Sequence, residues 1–290
     1  MMGAGANPLA ADKAEIALRH PQYFRPNWYT RAQVGGVLGL ATALLILGVV
    51  QLEIPFDRIP SGIFKLGDFV RLMLPPDPGS WANAQLYLRA LGETVSIALL
   101  GTLGGALLAF PMALLAAHNV VANKIIHILS RRILDTVRGI DTLIWALIWV
   151  SVVGLGPFAG VLALICSDFG SFGKLFSEAI EAADKKAVEG VRSTGGSHLH
   201  GIRFGLLPQV IPVLASQVLY YFESNTRSAT IIGIVGAGGI GLQLAEQIRV
   251  LEWQKVAFII LLILIAVSVI DLISSRLRFA IIGRAPASGH

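Results

Sequence analysis

Residues 142–167 of the chain read TLIWALIWVSVVGLGPFAGVLALICS, a run without a single charged side chain. It is longer than the roughly 20 apolar residues that a helix needs to cross the hydrocarbon core of a membrane. However, the tetrapeptide Gly154-Leu155-Gly156-Pro157 in its middle is typical of a turn. We therefore predict two membrane-spanning helices here, over residues 133–153 and 158–176, rather than one long tilted helix.

The composition extends this conclusion to the whole chain. Of its 290 residues, 54% are hydrophobic and 14% are charged, whereas an average soluble domain has roughly 25% charged residues. The charges lie between long apolar runs, so the apolar surface must face lipid. The net charge of +5 does not indicate a nucleic-acid partner, because the basic residues lie at the ends of apolar segments and not along one face. We predict an all-α integral membrane protein.

Four further apolar segments bring the predicted number of spans to about six. They cover residues 32–52, 94–117, 210–222 with the glycine-rich stretch up to 241, and 256–272. Residues 53–89 are rich in proline and charge and predict a loop with one interfacial helix at about 63–74. No small-residue cleavage site follows an apolar core within residues 1–31, so we predict no removable signal peptide.

The basic residues predict which side of the membrane each segment faces. With six spans, most of the 23 lysines and arginines fall on one side, which the positive-inside rule makes cytoplasmic. With five spans, the basic loop from 174 to 203 would lie outside, which the rule disfavours. We expect cytoplasmic termini at 1–31 and 281–290, a periplasmic loop at 53–89 and a core domain over 90–280.

A long polar segment between two predicted spans covers residues 178–212, EAIEAADKKAVEGVRSTGGSHLHGIRFGLLPQVIP. It begins helically, turns at Gly195-Gly196 and ends in Leu206-Leu207-Pro208. A helix–turn–helix on a membrane surface fits a partner's groove and transmits the partner's movement as a rigid body. We expect residues 177–208 to bind a cytoplasmic partner.

This segment resembles the coupling loop of ABC importer permeases. The family pattern is EAA, three residues, Gly, nine residues, Ile, one residue, Leu-Pro. Counting back from Pro208 places Leu207 and Gly195 in register and Glu189 at the acidic position. The resemblance implies that these four residues couple the chain to a cytoplasmic ATPase.

The segment departs from the family pattern at three positions. Gly190 and Val191 replace the two alanines, and Gly205 replaces the isoleucine. The literal Glu181-Ala182-Ala183 has the wrong spacing, because it would put His200 at the proline. Three longer segments resemble the phosphonate-uptake permeases within this family: VEGVRSTG, FGLLPQVIP and FESNTRSATIIGIVGAGGIG. The resemblance covers roughly residues 90–280.

The resemblance implies a type I importer permease bundle, similar to that of methionine-importer permeases, in a bacterial inner membrane. Such a permease has no catalytic centre and binds no cofactor itself. ATP and Mg²⁺ would bind to a partner ATPase dimer, an external substrate-binding protein would deliver the cargo, and two permease copies would form the pathway. Phosphonate or a related phosphorus oxyanion is the expected cargo.

Ionisable side chains are costly in a membrane span, so those that occur there are candidates for the translocation pathway. Glu223 and Arg227 are spaced i, i+4 on one helical face, so they can pair with each other, or Arg227 can assist an anion. The glycine-rich segment is expected to line a cavity in the outer half of the membrane, because irregular backbone is tolerated there. Its glycines are Gly236, Gly238, Gly239 and Gly241.

Two motifs are poor evidence for other sites. The GxGxxG at 236–241 lacks the βαβ unit and downstream acidic residue of a dinucleotide site. His198 and His200 have no third ligand at a useful spacing for a metal. We predict neither a metal site nor a catalytic group.

Two alternatives stay open at this stage. The first keeps the importer family and changes the cargo to phosphite, a phosphate ester, methionine or an osmolyte. The second is an ion-coupled secondary transporter that works alone. A secondary transporter typically shows inverted repeats or mid-membrane carboxylates, and it would leave the long docking loop unexplained.

Overall fold

The computed structural model describes residues 28–53, 55 and 58–283. The predicted cytoplasmic segment 1–31 and tail 281–290 therefore lie largely outside the described residues. Within that part of the chain the secondary structure is helical, with no strand, as the predicted all-α class requires. The helices are α1 Trp28–Gln51, α2 Arg58–Leu72, α3 Trp81–Ala116, α4 Lys124–Arg138, α5 Thr142–Val153, α6 Pro157–Glu181, α7 Lys185–Ser193, α8 His198–Ile234, α9 Ile240–Arg249 and α10 Trp253–Ile282.

Five of these helices are long and apolar enough to cross a membrane, and a sixth span is present if α4 and α5 count together. The five are α1, α3, α6, α8 and α10. This number agrees with the prediction of about six spans. Helix α3 begins at Trp81, well before the predicted start at residue 94, and Ser80 caps it by accepting a hydrogen bond from the Asn83 amide.

The predicted helix over 133–153 is wrong in one respect, because it is broken. Helices α4 and α5 meet at an angle of 83°. The break lies at Gly139-Ile140-Asp141, where Gly139 ends α4 and the Asp141 carboxylate accepts a hydrogen bond from the Leu143 amide to begin α5. The two sides of the break differ in composition, because α4 is amphipathic and carries charges such as Asp135 and Arg138, whereas α5 carries none.

The predicted turn between the next two helices is confirmed. Gly154 and Gly156 have φ angles of +91° and +137°, which only glycine adopts readily. Pro157 then begins α6, where its missing N–H is no loss.

Helix α8 is continuous through residues that the sequence divided into a polar loop, a short apolar run and the beginning of a glycine-rich stretch. It runs for 37 residues, from His198 to Ile234. Residues Gly201–Leu206 form a π-helical turn within it. The apolar run 210–222 is too short to span alone, but the longer helix that contains it is not.

The chain divides into a unit up to Asp68 and a second unit from Phe69 onward. The first unit contains the apolar helix α1. The core of the second unit rests on close packing of α3 against α6. A Cβ at Gly101 would lie 2.4 Å from the Leu164 Cβ, and one at Gly105 would lie 2.6 Å from the Asp168 Cβ, so both glycines permit this approach.

Candidate functional site

The predicted coupling loop folds as a helix, a glycine turn and the start of a second helix. Asp184 caps α7 by accepting a hydrogen bond from the Lys186 amide. After α7, Gly195 adopts a φ of +88°, and the Gly196 amide donates to the Val191 carbonyl at 3.2 Å. Such a glycine closes a helix because it occupies the left-handed region without strain. The Ser197 hydroxyl then caps α8.

Two glycines bring the start of α8 against α7. A Cβ at Gly205 would lie 2.8 Å from the Val188 Cα, and one at Gly201 would lie 3.2 Å from a Val188 methyl carbon. The glycine that replaces the family isoleucine, Gly205, therefore permits the closer of the two contacts between these helices. Gly201 and Gly205 are four residues apart, a spacing that places both on one face of a helix and could have indicated this contact.

The four predicted coupling residues lie along this helical pair. Glu189, Gly195 and Pro208 are exposed, and Leu207 is half-buried. A cleft of about 350 Å³ opens between α7 and the residues after α3, and Glu189 and Arg192 are among its lining residues. The exposed surface is thus free of intramolecular cover within the described residues, as a docking surface must be.

Glu181, the acidic residue of the misplaced EAA triplet, fixes the end of α6. Its carboxylate lies 2.7 Å from the Arg131 guanidinium of α4 and 2.8 Å from the His118 imidazole. The His118 backbone amide also donates to it at 2.9 Å. Glu181 thus joins three parts of the chain, which explains an acidic residue here without a partner protein.

Gln209 and His198 attach the coupling loop to the rest of the protein. The Gln209 side chain accepts a hydrogen bond from the Asp184 amide at 3.1 Å and donates to the Gly205 carbonyl at 2.6 Å. The His198 ring contacts the Val120 carbonyl at 3.0 Å and also the Arg192 guanidinium. With both ends held, α7 and the start of α8 can move as one body.

Glu223 lies at the centre of a charged cluster on α8. It is 8% exposed, and its two carboxylate oxygens contact Arg227 at 3.4 Å and Arg278 of α10 at 3.2 Å. The expected Glu223–Arg227 pair therefore exists, and Arg278 joins it. The sequence did not indicate this second contact, because Arg278 lies 55 residues from Glu223 along the chain.

The predicted pathway glycines form a tight turn between α8 and α9. Gly236, Gly238 and Gly239 have φ angles of +100°, +82° and +72°. The turn is pinned to α3, since the amide of Gly239 donates to Glu93 and that of Ile240 donates to Thr94. A Cβ at Gly241 would overlap the Thr230 carbonyl of α8. All four glycines are buried, so the irregular backbone is covered by protein.

A buried network of hydrogen bonds connects the three central helices α3, α6 and α8. The Asn225 amide of α8 donates to the Thr102 hydroxyl of α3 at 2.8 Å and to the Asp168 carboxyl of α6 at 2.5 Å. All three residues are buried. In this setting an unpaired polar group is expensive, so the network specifies how the helices pack.

Replacing the centre of this network should destabilise the protein. We expect Asn225→Leu to lower the free energy of unfolding by about 2 kcal/mol, because it leaves the Asp168 carboxyl buried without its donor. SDS titration in mixed micelles measures this change. The double variant Asp168→Leu/Asn225→Leu removes both partners and should recover part of the loss. If the double variant lost as much free energy of unfolding as the two single variants together, the role of the network would be contradicted.

Residues 109–283 match the family described as binding-protein-dependent transport system inner membrane component. This stretch covers more than half of the chain, including α4 to α10. The chain belongs to this family. It is therefore a multi-pass inner-membrane transport permease and not an enzyme.

Relatives of this permease align over most of its length. The HtxC protein of Stutzerimonas stutzeri, provisionally named as a phosphite transport system permease, is 40% identical over 83% of this chain and 86% of its own. The phosphite transport system permease protein PtxC of the same organism is 33% identical over 93% of this chain and 95% of its own.

A solved structure shows the same fold. The MetNI methionine ABC transporter, in an inward-facing conformation, superposes with a TM-score of 0.62 over 70% of this permease and 99% of that chain. The sequence identity is 20%, so this likeness concerns the fold alone. It confirms the predicted type I importer permease bundle.

Proposed function

We propose that this permease forms the translocation pathway of an ABC importer for phosphonate or a related phosphorus oxyanion, and that α7 with the start of α8 couples it to a cytoplasmic ATPase. The observation that carries the coupling proposal is the exposed helical pair around Glu189 and Pro208. Contacts from Gln209 and His198 hold this pair to the body of the protein. A push on the pair therefore reaches α8 without being absorbed by a flexible loop.

The charged cluster of Glu223, Arg227 and Arg278 on α8 and α10 supports an anionic cargo. Glu223 neutralises only one of the two arginines that it contacts, which leaves one positive charge in a helix that crosses the membrane. A net charge there is costly and marks a pathway or a site. The guanidinium group matches the oxygens of a phosphonate. The names of the relatives, which refer to phosphite transport, point to the same class of cargo.

The proposal includes partners that the family description implies. An ATPase dimer would bind ATP and Mg²⁺ and dock on the coupling loop, and a substrate-binding protein would deliver cargo from outside. A second copy of the chain would complete the pathway as a homodimer, with the surrounding lipid covering the apolar helices. Both termini would be cytoplasmic, as the distribution of basic residues predicts.

Reconstitution tests the proposed function directly. We expect liposomes that contain this permease, its ATPase and its binding protein to accumulate methylphosphonate or phosphite only when ATP is enclosed with the ATPase. Omission of either partner should abolish uptake. Competition among methylphosphonate, phosphite, phosphate and methionine then ranks the cargoes. Uptake without ATP, driven by a proton or sodium gradient, would refute the proposal and favour a secondary transporter.

A further inference from the structure

A groove lies beside Arg278, between α6, α8 and α10. Its volume is about 440 Å³, and it is lined by Leu175, Ser216, Gln217, Tyr220, Tyr221 and Arg278. This size and this mixture of an apolar wall with a few polar groups are typical of a small-molecule site. The groove is distinct from the exposed coupling surface, and no predicted site residue lines it.

Arg278 has unused capacity for an anion. A guanidinium group carries five N–H donors in a fixed fork, and one of them contacts the Glu223 carboxylate, at 3.2 Å. That distance is longer than the 2.7–2.9 Å or so of a strong charge-assisted bond. The guanidinium carbon lies 5.8 Å from the centre of the Tyr220 ring, which holds the group over the groove without using a donor.

Gln217 adds to the groove a polar atom that has no hydrogen-bond partner among the described residues. Its side-chain oxygen is buried and accepts no hydrogen bond from any described residue. Buried polar atoms are almost always satisfied, so an exception calls for an explanation. An amide that lies beside an arginine can accept from a P–OH group or, after a flip, donate to a P–O⁻ group.

We propose that this groove is a transient oxyanion site, in which Arg278 binds the phosphorus oxyanion and Glu223 is the internal competitor for the same guanidinium. This inference rests on the proposed function. Cargo oxygens take the place of the Glu223 carboxylate on Arg278, and Glu223 stays paired with Arg227. When the cargo leaves, the Glu223 carboxylate returns to Arg278 and neutralises its charge again.

The competitor serves transport because a permease must release what it binds. A free arginine in a site of low polarity would hold a phosphonate tightly and slow its passage. The carboxylate lowers the affinity by making every binding event an exchange of one anion for another. Glu223 thereby sets the affinity, and Arg278 sets the preference for anions.

The test compares variants in liposomes that contain the permease, its ATPase and its binding protein. We expect Arg278→Gln to reduce ATP-driven methylphosphonate uptake about tenfold or more, because a charged hydrogen-bond donor is lost. The complex should still assemble and hydrolyse ATP. Arg276→Gln is the matched control, since Arg276 is exposed and lies two residues away on the same helix. Its uptake should stay within about twofold of the wild type.

Glu223→Gln tests the competitor itself. We expect this variant, purified with its ATPase, to bind methylphosphonate about tenfold more tightly in equilibrium dialysis, and to transport it with a lower maximal rate. Arg278→Lys covers the risk that a neutral residue misfolds the site. It keeps the charge but loses the fork, so its uptake should fall between those of the wild type and Arg278→Gln.

The outcomes separate this inference from the proposed function. If the wild type imports methylphosphonate or phosphite, but Arg278→Gln imports it equally well, the oxyanion site is refuted and the importer stands. Unchanged binding by a folded Glu223→Gln variant would refute the competitor. If the wild type imports neither anion under conditions in which it imports another cargo, the proposed cargo fails, and the site fails with it.

Discussion

Gly205→Ile should nearly abolish ATP-driven uptake, although it restores the residue of the family pattern. The Cβ of the new side chain would lie 2.8 Å from the Val188 Cα and 3.0 Å from the Val188 nitrogen. Both are backbone atoms, so no side-chain rotation relieves the overlap, and α7 must move away from α8. Overpacking of this kind costs up to ~3 kcal/mol. This cost corresponds to about a 100-fold fall in the population in which α7 packs against the start of α8. Uptake into liposomes measures it.

Gly190→Ala is the matched control for that substitution. A Cβ at Gly190 meets no described atom within 4 Å, and alanine favours a helix by up to about 1 kcal/mol over glycine. We expect uptake at the level of the wild type. Normal uptake by Gly205→Ile would show that α7 need not touch α8 for coupling.

Glu189→Arg should uncouple the permease from its ATPase. Glu189 is exposed on α7 beside the cleft of the coupling loop, so a reversed charge leaves the folded chain intact but opposes a surface that is complementary to the acid. Charge reversal at an interface costs several kcal/mol. We expect uptake to fall at least about tenfold, and less permease to co-purify with the ATPase subunit.

The control for the charge reversal is Glu178→Arg. Glu178 is also exposed, near the end of α6, and receives the same change of charge. It lies at the edge of the predicted loop, outside α7 and the start of α8, and does not line the cleft. Equal losses in both variants would indicate a general electrostatic effect on the membrane surface, and the predicted register of the coupling loop would then be wrong.

Much of the fold follows from local features of the sequence. Long apolar segments indicated the spans, because a bilayer demands them regardless of tertiary contacts. The Gly154–Pro157 turn was also predictable, since it depends on the conformations that glycine and proline allow. The register of Glu189 and Gly195 came from the spacing of a short motif and stays a prediction, although both residues are exposed.

The remaining features depend on contacts between distant residues. The bend between α4 and α5 was missed because the prediction joined the apolar residues at the end of the amphipathic α4 to the uncharged α5 as one span. Helix α8 was divided because its polar start was expected to be a loop, whereas Gly201 and Gly205 bury that start against α7. Arg278 was not predicted as a site residue, because nothing local shows that it reaches Glu223, 55 residues away.

The π-helical turn at Gly201–Leu206 has a consequence for the comparison and engineering of importers. A π turn accommodates one more residue than an α-helix does over the same length. Deleting one residue within this turn would therefore convert it to an ordinary α turn and leave both flanks in their orientation, whereas deleting one residue elsewhere near the start of α8 would rotate everything before it by about 100° about the helix axis. The docking face would then point sideways while every side chain in it remained intact. Coupling loops exchanged between transporters must therefore match in length on either side of this turn, a requirement on residue count that sequence identity does not measure.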